Sequence, residues 1–326
     1  MMNEQKKNRT YFEQAVKNFF SFKSNDKLGI LIALIILLVI SSIMSPSFLS
    51  ARNLLNILKQ NAMLGLVTIG MTVVVLSGSI DLSVGPIVAF CGLLTGYMMN
   101  LPFVLMLVIT LIAGAAVGVV NGYLIAKRHM EPFIVTLSVQ IALRGLNLFI
   151  TKGGYISKVN TFDWVGNGKI GIIPVPAIIL VVMFLAFHII MSKTVFGRNV
   201  YALGGNETAA KLSGIKTERV KILSHVICGA LCAAAAVINV SRLATAEPLA
   251  ADGLEADAIA AALVGGNSLL GGRGSISGAF IGLLVFAILS NIFNLIGLKS
   301  AEQQIIKGVI IVVAVLLSQR RKSKVA

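Results

Sequence analysis

Charge is what this sequence has least of. Asp, Glu, Lys and Arg make up only 13% of its 326 residues, where a soluble domain carries about 25%. With 56% hydrophobic residues, there is too little polar side chain to clothe a body in water, and the bilayer is the natural solvent. Cysteine is scarcer still. Cys91, Cys228 and Cys232 all sit inside apolar runs, so no disulfide framework is implied. Cys228 and Cys232 stand one helical turn apart, but no His or carboxylate completes a metal pair, and they read as small packing residues. His129, His188 and His225 are scattered. There is no Gly-x-x-x-x-Gly-Lys-Ser/Thr loop to cradle phosphate; the nearest string, Gly166-Asn-Gly168-Lys169, has neither the spacing nor the hydroxyl. His-Glu-x-x-His, Gly-x-Ser-x-Gly and Cys-x-x-Cys are also missing. No catalytic constellation emerges, and no metal or cofactor is expected.

What charge there is leans one way, to a net +15. In a soluble protein this would point to nucleic acid. Here the basic residues fall in short polar stretches between apolar runs, the pattern of cytoplasmic loops facing anionic lipid. No nucleic-acid partner is expected.

A helix needs about 20 apolar residues to cross the hydrocarbon core. Uncharged runs occupy 28–51, 60–80, 82–126, 132–143, 170–192, 222–241, 258–272, 274–298 and 308–319. The run from 82 is long enough for two crossings, with a turn at Asn100, Leu101 and Pro102. The run from 132 becomes a full span if it continues past Arg144. These runs predict an all-α polytopic bundle of about ten spans, eight at the fewest. A transmembrane domain, 28–319, then lies between a basic N-terminal segment, 1–27, and a basic tail, 320–326. No small-residue cleavage site follows the basic segment, so the first span is expected to be retained. The expected inside segments, 1–27, 127–131, 192–221, 271–275 and 319–326, hold 19 of the 28 Lys and Arg. That bias predicts both termini in the cytoplasm. Gly and Pro at 78, 85–86 and 265–274 predict broken helices, which a membrane tolerates only where protein or a cavity covers the backbone. The strings at 78–85 and 271–278 are weakly alike, each following one apolar helix and opening another. They suggest two pseudo-repeated five-helix halves.

Charges inside a membrane cost roughly 2.5–3.5 kcal/mol each, which makes them functional candidates. Arg144 lies within a span, and Asn147 is one turn on. Arg144 reads either as a snorkelling residue near the interface or as part of a polar path. Lys307 and Arg242 lie nearer span ends and are expected to snorkel. No carboxylate stands clearly in mid-span, which argues against a proton relay but leaves sodium coupling open. Asp81 immediately precedes a new helix and is expected to cap its free N–H groups, or to stand beside the path. Asn61, Asn121, Gln140, Asn147, Asn239, Asn291 and Asn294 offer neutral hydrogen bonds to a polyol or to neighbouring helices. The candidates for a translocation path are Asp81, Asn121, Arg144, Asn147 and Asn239.

The loop 192–221 carries the strongest local signal. Asn206 is expected to cap a short helix from Glu207 to Ser213, with Gly214 ending it. This helix would present Ala209, Ala210 and Leu212, with Lys211 and Lys216 around them. It reads as a docking face for another protein or as an amphipathic helix resting on lipid.

Three long strings then carry a resemblance. They are Gly70-Met-Thr-Val-Val-Val-Leu-Ser-Gly-Ser-Ile-Asp-Leu-Ser-Val-Gly85, Gly197-Arg-Asn-Val-Tyr-Ala-Leu-Gly-Gly-Asn-Glu-Thr-Ala-Ala-Lys-Leu-Ser-Gly-Ile215 and Asp257-Ala-Ile-Ala-Ala-Ala-Leu-Val-Gly-Gly-Asn-Ser-Leu-Leu-Gly-Gly-Arg-Gly274. Over most of its length the chain resembles the integral-membrane permeases of ribose-type ABC sugar importers, in the branched-chain amino acid/ribose permease superfamily. The resemblance implies a non-enzymatic subunit of a bacterial cytoplasmic membrane. Its implied partners are two ATP-binding cassette subunits, a second permease copy or paralogue, and an extracytoplasmic sugar-binding protein. It also implies a coupling helix of the pattern Glu-Ala-Ala-x-x-x-Gly. Ala209, Ala210 and Gly214 match in spacing. Thr208 stands where the pattern has Glu, and Glu207 lies one residue earlier. A secondary transporter or facilitator for a small polar solute is the alternative reading, and the strings do not name the sugar.

Overall fold

The computed structural model describes residues 26–320. The segments 1–27 and 320–326 singled out above lie outside the described residues, except at Asp26, Lys27 and Arg320. The first helix, α1, spans Asp26–Met44. Ser50 then accepts a bond from the Asn53 amide and opens α2, Ala51–Gln60. After Asn61 the chain bends by 50° into α3, Ala62–Leu76. Next come α4, Val84–Tyr97, and α5, Phe103–Lys127, divided at 98–102 as expected. Pro132, whose missing N–H is no loss in a first turn, starts α6, which runs through Arg144 to Thr151.

Two-residue strands and a one-turn helix follow. They are β1, Ile156–Ser157, then α7, Asp163–Asn167, then β2, Lys169–Ile170, and β3, Ile173–Pro174. A hairpin joins β2 to β3, while β1 pairs antiparallel with β4, Thr245–Ala246, placing Ile156 opposite Ala246. The remaining helices are α8, Val175–Lys193, α9, Val195–Gly205, α10, Glu207–Leu212, and α11, Thr217–Leu243. The chain ends on α12, Leu254–Val264, α13, Ile276–Leu295, and α14, Ser300–Arg320.

The architecture is an all-α membrane bundle. By length and composition, α5, α6, α8, α11 and α13 can each cross a membrane, and the bent pair α2–α3 makes a sixth. Two further apolar stretches, Gly29–Met44 and α4, are shorter. The 11 residues of α12 rise about 17 Å, roughly half the hydrocarbon thickness. Among the described residues, length alone therefore supports five or six crossings where the apolar runs predicted ten.

Helix α11 is the axis of the bundle, packed against α3, α4 and α5. What brings α5 close is a stripe at every fourth residue. A Cβ on Gly114, Gly118 or Gly122 would strike the backbone of Gly229, His225 or Ile222 respectively. Without a side chain on that face, the two backbones touch, which is how membrane helices associate when lipid is as apolar as leucine. The cysteines belong to the same logic. All three are free and buried, and a Cβ on Gly70 would meet the Cys228 Cα at 2.9 Å. Outward faces carry exposed Val104, Ile112, Ile141, Phe149, Val182 and Leu185, an apolar coat suited to lipid or to another subunit.

Candidate functional site

Both ends of the 77–83 break are held by polar groups. Asp81 is fully buried. Its Oδ1 accepts the Ser83 amide at 2.9 Å and the Ser83 hydroxyl at 2.5 Å. The Asn121 carboxamide of α5 donates towards both carboxylate oxygens at 3.3–3.4 Å and to Ser83 Oγ at 2.8 Å. Asp81 thus holds the N–H at the mouth of α4 and ties that helix to α5. The N–H it accepts is that of Ser83, the residue before α4, so Asp81 braces the turn into the helix; the first-turn N–H groups that the sequence led us to expect it to cap receive no side-chain bond. Asn121 Oδ1 is buried without a partner.

The second break, 265–275, uses a neutral amide for the same task. Asn267 Oδ1 accepts the Ser275 amide at 2.8 Å, and its Nδ2 donates to the Ala262 carbonyl at 2.7 Å. The Ser275 hydroxyl then caps α13 at the Gly278 amide. The two breaks touch one another. Gly272 N–H donates to Leu76 O at 3.0 Å, and a Cβ on Gly271 would lie 2.8 Å from Gly78. Gly204, at the end of α9, seats between them against Leu76 O and Gly272 N. Tyr201 adds a bond from its hydroxyl to Gly274 O at 3.1 Å. Burial pushes its phenol pKa up.

Beside the same N-terminal end of α4, α6 carries a second polar cluster. Arg144 is clasped by the segment that leads into α12. Its side chain is 15% exposed. It donates to Ala250 O at 3.1 Å and to Asp252 Oδ1 at 3.0 Å. One turn before it, Gln140 donates to Glu255 Oε1 at 3.0 Å. On the same face, fully buried Asn147 donates to Pro86 O at 3.3 Å. Of the five path candidates, the structure brings Asp81 together with Asn121, and Arg144 with Asn147. Asn239 belongs to neither group, since its Oδ1 accepts from Arg242 of its own helix at 3.3 Å.

Lys307, expected near a span end, pairs with Asp257 at 2.8 Å and ties α14 to α12. Asp257 and Glu255 both lie in the first turn of α12. Glu255 was passed over because it precedes the uncharged run, although an acid in the first turn of an apolar helix is itself a signal.

In the loop after α8, Asn206 accepts the Ala209 amide at 2.9 Å and starts α10, and Gly214, at φ +81°, ends it. Glu207 pairs with Lys221 at 2.7 Å. Ala209 and Leu212 face outward, whereas Ala210 is turned in and buried, so it is not part of the presented face. Lys127, in the last turn of α5, forms an ion pair with Glu218, in the first turn of α11. Among the described residues there is no cluster of His, Cys, Asp and Glu fit for a metal.

A family model described as branched-chain amino acid transport system / permease component matches residues 53–315. The chain is 45% identical to a ribose import permease protein of Bacillus subtilis (strain 168), over 302 residues covering 91% of this chain and 94% of that protein. It is 40% identical to a ribose import permease protein of Escherichia coli (strain K12), covering 90% and 93%. It is 36% identical to an L-arabinose ABC transporter permease protein of Azospirillum brasilense, covering 91% and 88%. No solved structure matches it.

Proposed function

The chain belongs to the family of branched-chain amino acid transport system permease components, and on that premise we propose that it is the membrane-spanning subunit of an ATP-driven importer of a ribose-like monosaccharide. The observation that carries this is the 45% identity to a ribose import permease across nine-tenths of the chain. The site is consistent with it. Carboxamides, hydroxyls and one arginine gather beside the start of α4, as suits a neutral polyol.

In this reading two ATP-binding cassette subunits drive transport, and a second permease copy or a paralogue completes the pore. A sugar-binding protein delivers the substrate from outside, and both termini lie in the cytoplasm of a bacterial cell. The short helix α10 docks on the ATPase through Glu207, Ala209 and Leu212, with Ala210 packing it to the body and Gly214 setting its exit turn. Two halves account for ten crossings if α3–α4 and α12–α13 are equivalent broken elements, a pairing supported by their contact at Gly78 and Gly271. Domain limits at 28 and 319 follow from the same reading, and Asp81, Asn121, Arg144, Asn147 and Asn239 remain its polar candidates.

The test is uptake of a radiolabelled sugar panel into proteoliposomes. ATP-dependent uptake of one sugar, only with ATPase and binding protein present, is the expected result. Accumulation by the permease alone would mean a secondary transporter and would withdraw α10 as a coupling element. Within the complex, Gly214→Trp is expected to cut ATP-linked uptake at least tenfold with normal membrane insertion. A Cβ there meets nothing within 4 Å, so the strain comes from the left-handed φ of +81°.

A further inference from the structure

The N-terminal ends of α4 and α12 meet inside the bundle. A Cβ on Gly85, in the first turn of α4, would lie 2.6 Å from Glu255 Oε2 and 2.7 Å from Ala251 O, with Arg144 Nη2 at 3.4 Å. The neighbouring residue, Pro86, receives the Asn147 carboxamide. Glu255 and Asn147 therefore approach the same two residues from different helices, and Gln140, Arg144 and Asn147 share one face of α6 at i, i+4 and i+7. Broken helices whose ends converge in mid-membrane are where transporters place substrate sites.

The second observation is an imbalance of hydrogen bonds. Two buried acceptors in this cluster, Asn147 Oδ1 and Glu255 Oε2, have no donor. Leaving such atoms unmet is costly, and native proteins do it rarely. Their neighbours are engaged: Gln140 Nε2 on Glu255 Oε1, and Arg144 on Ala250 O and Asp252. Asp252 is 82% exposed, so the Arg144 clasp is the side on which this cluster approaches solvent. The cluster holds one arginine against two carboxylates, which disfavours an anion. What it lacks is hydroxyl donors.

We propose that Gln140, Arg144, Asn147 and Glu255 form a station for the hydroxyl groups of a neutral sugar, closed in this conformation by the Arg144 clasp on residues 250–252. This rests on the permease reading. When the clasp opens, sugar O–H groups donate to Glu255 Oε2 and Asn147 Oδ1, and the freed Arg144 N–H groups donate to sugar oxygens. Glu255 and Asn147 would thus set which hydroxyl pattern passes.

The experiment uses the full complex in proteoliposomes with saturating ribose-loaded binding protein, reading ribose imported and ATP hydrolysed together. Glu255→Gln is expected to lower ribose imported per ATP about tenfold, the loss expected for a charge-assisted hydrogen bond, and Asn147→Ala about fivefold, the loss of a neutral one, while binding-protein-stimulated ATP hydrolysis stays within twofold. Gln140→Ala, which leaves both acceptors in place, is expected to give a smaller loss of the same kind and serves if either of the others fails to accumulate. Ribose per ATP unchanged in all variants that accumulate would overturn the station and leave the permease reading standing. So would equal falls in uptake and hydrolysis, the mark of a purely structural role. A wild-type complex that imports none of the sugars tested would overturn both.

Discussion

The breaks at 77–83 and 265–275 solve one problem with different chemistry. Each must carry non-helical backbone through an interior where unmet polar groups are expensive. Each does so with a side chain that accepts the N–H of the serine immediately before the next helix. At the first break the acceptor is the carboxylate of Asp81, braced by Asn121 of another helix. At the second it is the neutral Asn267, which also returns a bond to Ala262 of the helix it has just left. A bonded charge is the stronger acceptor, but it is safe only while its donors stay in place. The amide is weaker and self-contained.

That contrast can be broken at its most exposed point by Asn121→Asp. Two carboxylates about 3.3 Å apart repel by roughly 5 kcal/mol at an effective dielectric constant of 20. The variant is expected to lose most of its folded protein in the membrane, and normal yield with an unchanged melting midpoint would refute the account. Asn267→Ala orphans the Ser275 N–H, while the Ala262 carbonyl keeps the backbone amide of residue 267, a cost of about 1–3 kcal/mol. A lower melting midpoint in detergent should register it, with loss of order confined to the second break in hydrogen exchange. The mildest is Asp81→Asn. The new amide oxygen still accepts from Ser83, and Asn121, whose Oδ1 has no partner, can turn to meet the new NH2. About 1 kcal/mol is expected, without change in sugar preference; a changed preference at full stability would move Asp81 from a brace of the break to the path.

Apolar runs, the turn at 98–102 and the capped helix after Asn206 were legible because each is written in a few adjacent residues. Span count was not, because the breaks at Gly78 and Gly265 could be read while whether the pieces on either side of them make one crossing or two could not. Nor were the partners of the charges. Arg144 meets Asp252 and Lys307 meets Asp257 across more than 45 residues each, and only the packing of α6, α12 and α14 decides that. Ala210 was placed on the outer face, since a helix of six residues carries too little periodicity to tell in from out.

Side chains are the slack in most protein linkages, because a rotamer can absorb a small push. At Gly204 there is no side chain, and its backbone abuts that of Leu76 on one side and Gly272 on the other. The segment leading to α10 therefore meets both interrupted helices as a joint without backlash. A displacement of even a fraction of an ångström at one has nowhere to be lost before it reaches the other two.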